Sequence, residues 1–249
     1  MKYDWKDAGE EWSERWGTSA AQWSGAIWPR IRDCLPATTI LEIGPGYGRW
    51  THYLKGHCER LLIVDRAAEC IEACRTRFAP DRHITAYVNK GGSLSMVPNE
   101  SIDFVFSFDV FVHLEREIVE EYLSELSCKL KIHGRGFIHH SNFGKYANSP
   151  ERRFPPPIRK FLTKLHILDK DHHRTPTMTA ELFRTLCSQY KLHCLKQEIV
   201  NWRSRRLIDC FSWFERTGLK EQAPTRISRN PNFMREAALI RAKSQIPKE

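Results

Sequence analysis

Three stretches of this sequence bring together residue types and spacings that can do chemistry. The first is Glu42-Ile43-Gly44-Pro45-Gly46-Tyr47-Gly48, where a β-branched run ends abruptly in glycines. Glycine lets a backbone turn sharply and approach a ligand closely, because no side chain intervenes. A helix predicted over 49–55 would offer that turn its free N–H groups and its positive dipole end. The second is Asp65, which closes the run RLLIVD. An acidic side chain at such a strand end accepts hydrogen bonds from both hydroxyls of a ribose. The glycine spacing is G-x-G-x-G with an acid two residues ahead, not the G-x-G-x-x-G that seats a dinucleotide pyrophosphate. The third is a set of proton-handling side chains: Ser107, Asp109 and His113 on one predicted strand and its continuation, and His139, His140, Ser141 and Asn142 on another. Histidine is the usual general base near neutral pH.

The elements that must position these residues follow from hydrophobic patterning. Strands are predicted over 38–43, 60–65, 84–89, 102–108 and 136–140, with helices over 67–78 (closed by Pro80) and 115–130. Single apolar strands alternating with helices argue for a parallel sheet covered on both faces, with ligands gathered at the carboxyl ends of the strands. Thr179 caps a further helix over 179–190, and strands over 192–202 and 207–215 bring the expected sheet to seven. Between them, 145–178 holds three consecutive prolines, several basic residues and DKDHHRTPT, and reads as a substrate cap or loop. Residues 1–35 read as helical and carry Trp5, Trp12, Trp16, Trp23 and Trp28. Trp12 and Trp16 at i, i+4 would share a face, which either packs on the main domain or serves as a lid over a ligand. The expected division is therefore a Trp-rich helical lid (1–35), an α/β domain (36–217) with a cap insert (145–178), and a basic C-terminal tail (218–249).

The net charge of +9 is carried mostly by scattered residues in the last hundred positions, including Arg152, Arg153, Arg159, Lys160, Lys164, Arg203, Arg205 and Arg206. No nucleic-acid-binding motif accompanies them, so a solvated basic face is the better reading and nucleic acid is disfavoured as a partner. The eight cysteines show no zinc spacing and no secretory context, and are expected to be reduced and mostly buried. An acidic, aromatic N-terminus and the lack of a long apolar run predict neither a signal peptide nor a membrane span, and a cytoplasmic location.

LEIGPGYGRW, LLIVD and IDFVFSFDVFVHLE together resemble the class I S-adenosylmethionine-dependent methyltransferases, over roughly 38–215. The resemblance implies a Rossmann-like sheet and S-adenosylmethionine as cofactor, with S-adenosylhomocysteine as product. It places the cofactor over Gly44, Gly46, Tyr47 and Gly48, with Glu42 and the loop at the methionine end and Asp65 at the ribose. Phe108, at the end of the fourth strand, joins this set. Where the family often has an acid near the adenine amine, this chain has Lys90, in Asn89-Lys90-Gly91-Gly92-Ser93-Leu94. Backbone groups around Gly91, Ser93 and Leu94, or Asn89 itself, are then expected to hold the adenine.

Methyl transfer is an in-line displacement, in which alignment supplies much of the rate. An alcohol acceptor must also lose a proton, and a positioned base adds ~10²–10⁴-fold. His139 or His140 is the expected base, with Asp109 or His113 orienting it or the substrate. Adjacent strand residues face opposite ways, so which histidine serves stays open, as does a purely structural role for each. No metal is expected, although Asp109, Asp169, Asp171, His172 and His173 could meet a divalent ion. The N/D-P-P-Y/F sequence of many amino-group methyltransferases is absent after the fourth strand, which favours an oxygen acceptor. GFIHHSN, the basic insert and the terminal strand pair also resemble small bacterial methyltransferases of surface-polysaccharide sugars. Trp202 and Trp213 suit sugar stacking, although core packing is the better reading of either one alone. The expected function is O-methylation of a sugar hydroxyl in a glycan or glycosylated metabolite. The alternatives are a small-molecule O- or N-methyltransferase of secondary metabolism and a non-catalytic, nucleic-acid-associated protein. The number of subunits stays open, a homo-oligomer included.

Overall fold

A computed structural model of the chain describes residues 8–150, 154–165, 173–218 and 223–245. The N-terminal part comprises a 3-10 segment (Glu10–Trp16), α1 (Ser19–Gln22), a π-helical turn (Trp23–Ile27) and α2 (Trp28–Ile31). The α/β alternation then runs β1 (Ala37–Ile43), α3 (Thr51–Leu54), β2 (Cys58–Asp65), α4 (Ala68–Arg77), β3 (Ile84–Val88), β4 (Ile102–Phe111), α5 (Arg116–Lys129) and β5 (Leu130–Ser141). It continues through α6 (Pro156–Lys164), α7 (Ala180–Gln189), β6 (Leu192–Val200), β7 (Asp209–Arg216), β8 (Arg226–Asn230) and α8 (Phe233–Ser244).

All eight strands form one sheet in the order β3-β2-β1-β4-β5-β7-β6-β8. The first five are parallel, β7 runs antiparallel between β5 and β6, and β8 pairs parallel with β6. The order reverses between β1 and β4, which makes their carboxyl ends the switch point where such sheets leave a crevice. Ile40, Leu61, Ile63, Phe104 and Phe106 pack toward one face, under α2, α3, α4 and α8, while Leu41, Val64, Val105 and Ile138 pack toward the other, under α5 and α7. Thr179 caps α7, its hydroxyl accepting from the Leu182 N–H at 3.0 Å.

Three expectations need correction. The sheet has eight strands rather than seven. The extra one, RISRN, is a largely exposed edge strand held by its backbone on β6, so it needs no apolar alternation for a pattern search to find. It belongs to the stretch read as a tail, which also supplies α8, with Phe233 and Ala237 buried. Trp12 and Trp16 do not share a face. They lie in a 3-10 segment of three residues per turn, which sets positions i and i+4 about a third of a turn apart. Trp16 is buried against Trp202 and Phe233, whereas Trp12 is 38% exposed. The helix after the glycine turn is a single α-turn, Thr51–Leu54, so the N-terminal dipole it can offer is small.

The N-terminal helices pack on α3 and the 3-10 turn after it through a row of rings, Trp23 stacking on Tyr53 at 5.1 Å and Trp28 on His57 at 4.7 Å. Arg30 fixes them by a two-pronged bond to Glu198 on β6, at 2.9 and 2.7 Å. Trp5 lies outside the described residues.

Candidate active site

The glycine turn is built by backbone conformations that a side chain would oppose. Gly44, Gly46 and Gly48 all have positive φ, at 74°, 57° and 84°. A Cβ on Gly44 would run into the Val110 side chain, and one on Gly48 into the Phe78 ring. The turn thus lies hard against the β4 extension on one side and α4 on the other. Asp65 braces it from β2, its Oδ2 accepting from the Gly46 N–H at 3.3 Å and its Oδ1 from the Ala67 N–H at 2.9 Å. Burial raises the Asp65 pKa, with the two backbone bonds opposing it. Tyr47 is half-buried, and its carbonyl accepts from Arg77 at 2.9 Å.

Glu42 lies beneath the turn and is 1% exposed. Its Oε2 accepts the Thr51 hydroxyl at 2.6 Å, whereas its buried Oε1 has no hydrogen-bond partner among the described residues. Burial pushes its pKa up to about 8. An unpartnered buried carboxyl oxygen is costly, and a ligand group with positive charge or N–H donors would satisfy this one. Arg49 is buried close by, stacked over Trp50 at 4.4 Å and bonded to the Ser13 hydroxyl at 3.1 Å.

The loop after β3 is already bonded to itself and to α5. The Gly92 N–H donates to Glu121 at 2.7 Å, the Leu94 N–H to Glu125 at 3.2 Å and the Ser93 N–H to the Lys90 carbonyl at 3.0 Å. The Asn89 amide donates to the carbonyls of Gly91 and Ser93 and to the Tyr122 hydroxyl, leaving its own buried Oδ1 without a partner among the described residues. Most of the groups expected to meet an adenine are thus engaged within the protein, and Leu94 is a core residue. Phe108 is buried as well, packed among Trp50, His139, Trp202 and Phe211.

The β4–β5 pairing slips between Ser107 and Phe111, and Asp109 occupies the slip with φ at 64°. Such a bulge re-aims the backbone beside a site. Here the Asp109 N–H donates to His139 Nδ1 at 3.2 Å. The imidazole proton therefore sits on Nε2, which donates to Asp209 Oδ2 at 2.9 Å with both side chains fully buried. Arg174 completes the cluster, holding Asp209 with its fork and reaching Asp109 Oδ1 at 3.4 Å. Burial alone would raise Asp209, but Arg174 and then His139 overcome it and hold the carboxyl at about 2. Sequence reasoning missed Arg174 and Asp209. The signal available was an acid inside the apolar strand LIDCF, which a buried sheet tolerates only when paired.

The two adjacent histidines do face opposite ways. His140 stacks on Phe183 at 4.1 Å, donates from Nδ1 to the Ser141 carbonyl and accepts the Ser212 hydroxyl on Nε2. Burial lowers its pKa to about 3. His113 differs from both, because it is exposed at the end of β4. Its Nδ1 donates to the His173 carbonyl at 2.9 Å, and Nε2 has no partner among the described residues. Surrounding protein strips enough solvent from the ring to lower its pKa, and Arg174 adds to the lowering. Trp202 and Trp213 are both core residues, 6% and 8% exposed. Asp169, Asp171 and His172 lie outside the described residues, and among the described residues no group of three or more metal-ligating side chains converges.

Residues 40–134 match the family model of a methyltransferase domain. A curated relative, phosphoethanolamine N-methyltransferase 3 of Arabidopsis thaliana, is 29% identical over 153 residues. That match covers 57% of this chain and 31% of the relative, so the chain spans less than a third of that protein. Among solved structures, an S-adenosylmethionine-dependent methyltransferase from Mesorhizobium loti superposes with a TM-score of 0.57 at 16% identity, over 79% of this chain and 98% of the other. Geranyl diphosphate C-methyltransferase from Streptomyces coelicolor A3(2), solved with S-adenosylhomocysteine, gives 0.56 at 11% identity, over 78% and 81%. The fold is therefore that of the class I S-adenosylmethionine-dependent methyltransferases, and residues 40–134 are similar to a methyltransferase domain.

Proposed function

We propose that this protein is an S-adenosylmethionine-dependent methyltransferase acting on a hydroxyl of a small polar acceptor, with sugar hydroxyls the first class to test. One observation carries the cofactor reading. Glu42 keeps a buried, unpartnered Oε1 directly under a turn of three positive-φ glycines, with the Asp65 carboxylate at its side. The cofactor supplies an activated methyl group when bound. Glu42 would hold its methionine end and Asp65 its ribose, each oxygen of Asp65 retaining a lone pair beyond the backbone bond it already accepts.

On the acceptor side His113 is best placed to take the proton. Its tautomer is set by the His173 carbonyl, its free Nε2 opens to solvent at the carboxyl edge of the sheet, and its lowered pKa keeps it unprotonated at neutral pH. His139 and His140 each have both ring nitrogens bonded, so in this reading His139 positions Asp109 instead of moving a proton itself. The cytoplasmic location belongs to the same proposal.

Thermal unfolding with S-adenosylmethionine or S-adenosylhomocysteine tests the cofactor site. Saturation at 100 times Kd adds about 2.7 kcal/mol, a rise in Tm of roughly 5–10 °C for a chain of this size. The rise should vanish in Asp65→Ala, and no rise at millimolar ligand in the native protein would sink the proposal. Similarity to a phosphoethanolamine N-methyltransferase favours a second reading, N-methylation of a phosphorylated amine. Labelled methyl transfer to a panel of sugars and to phosphoethanolamine separates the two.

A further inference from the structure

Phe154, Ile158, Phe161 and Leu165 recur at helical spacing along α6 and its flanks, and are 46%, 46%, 60% and 52% exposed. Among the described residues nine large apolar side chains are exposed, and these four are the ones that gather in a single twelve-residue stretch. Scattered exposed apolar residues need no explanation, but a contiguous stripe marks an interaction surface. Leu162 is half-buried, so the helix turns an edge toward the protein and its apolar stripe outward.

Charge says what the stripe fits. From Asn148 to Leu165 the sequence has five basic residues, Arg152, Arg153, Arg159, Lys160 and Lys164, and one acidic residue, Glu151. Pairing this stretch with its copy in a second chain would bring two like-charged sets together, whereas protein interfaces are depleted of charge at their cores. A short helix combining an apolar face with lysine and arginine is suited to the boundary of an anionic bilayer, where the apolar face enters the acyl region and the cations meet headgroups.

The insert is rooted at the active-site edge. The Asn142 side chain at its start bonds the Ala180 N–H and the Leu207 carbonyl, and Thr175 at its end donates its N–H to Val112, next to His113. We propose that α6 is an interfacial helix by which this protein docks reversibly on an anionic lipid bilayer, presenting the His113 edge of the sheet near that surface.

Co-sedimentation of the full chain with phosphatidylcholine vesicles and with mixed phosphatidylcholine/phosphatidylglycerol vesicles tests this. Binding is expected to the mixed vesicles and to weaken as salt rises. Ile158→Glu/Phe161→Glu, at exposed positions, should lower the bound-to-free ratio at least ~10-fold with an unchanged circular dichroism spectrum. Arg159→Glu/Lys160→Glu should remove the preference for phosphatidylglycerol. Failure of the native chain to bind either vesicle, or binding indifferent to Ile158→Glu/Phe161→Glu, overturns the proposal. So does a native dimer, seen by light scattering, that this double variant converts to monomer while native vesicle binding is lacking, because the stripe would then be a self-association surface.

Discussion

Arg174 grips Asp209 with two prongs, Nε lying 3.0 Å from Oδ1 and Nη2 2.8 Å from Oδ2, and neither side chain is more than 4% exposed. Asp209 is thereby the anchor of a buried chain that runs through His139 to the Asp109 backbone. The left-handed Asp109 and the carboxyl edge of β4 are held from behind by groups on β5, β7 and the end of the insert.

Removing one partner of a buried ion pair leaves the other charge uncompensated, at a cost of ~3–5 kcal/mol. Asp209→Asn should therefore lower unfolding stability by about that much, because the buried Arg174 would lose the carboxylate counter-charge that it holds at 2.8 Å. Asp209→Asn/Arg174→Met should recover a large part of the loss. Urea unfolding of the native protein, Asp209→Asn, Arg174→Met and the double variant closes the cycle, and an Asp209→Asn loss below ~1 kcal/mol would show that the pair does not anchor the edge.

If His113 takes the acceptor proton, kcat/KM should fall only on the acid side. Its pKa lies below the ordinary imidazole value of 6.5, so the rate should be flat from neutral pH upward and drop only on the acid side of that value. His113→Gln should lower kcat by ~10²–10⁴-fold and abolish that acid limb, with little change in KM. An amine acceptor gives a different signature, a limb near the amine's own alkaline pKa that persists in the variant.

The parallel strands and the glycine turn were legible because their determinants are local. An apolar run ending in spaced glycines, and an acid closing the next strand, each announce themselves within a few residues of Glu42 or Asp65. The acceptor side was only half legible. Asp109, His113 and His139 stand out by type, but the bonds that hold Asp109 and His139 involve Arg174 and Asp209, which lie 35 to 100 residues away from them along the chain. Hydrogen bonds to backbone, such as those that occupy His140 and the Gly92 and Leu94 amides, leave no trace in side-chain patterning. The edge strand β8 was illegible for a related reason, as backbone pairing and a few polar side-chain bonds hold it, with no buried apolar row.

Gly44 supplies a paired test of the turn. Gly44→Ala would place a methyl group into Val110 at a φ of 74°, so it should cost ~1–2 kcal/mol in backbone strain and abolish the ligand-induced rise in Tm. Gly56→Ala is the control, since a Cβ there meets nothing within 4 Å, and it should leave both stability and the ligand response close to native. Equal behaviour of the two variants would mean that the close approach at Gly44 has no role in binding.

Glu42 links the proposed cofactor site to pH, and the sign is defined. Its folded pKa of about 8 stands above the ordinary value of 4.5, so between those values the ligand-free fold binds a proton that the unfolded chain does not. This group's contribution to stability is fully present below about pH 4.5 and is lost as pH rises through about 8, a change on the order of 3–5 kcal/mol. Glu42→Gln should flatten that decline. A cationic ligand beside Glu42 favours the ionised carboxylate, so binding of S-adenosylmethionine at pH 7 should release a proton and tighten as pH approaches 8. Titration calorimetry in two buffers of different ionisation enthalpy reads the release directly. Native protein should show it and Glu42→Gln should not; equal heats in the two buffers for native protein would mean that Glu42 stays protonated and lies apart from the ligand's positive charge.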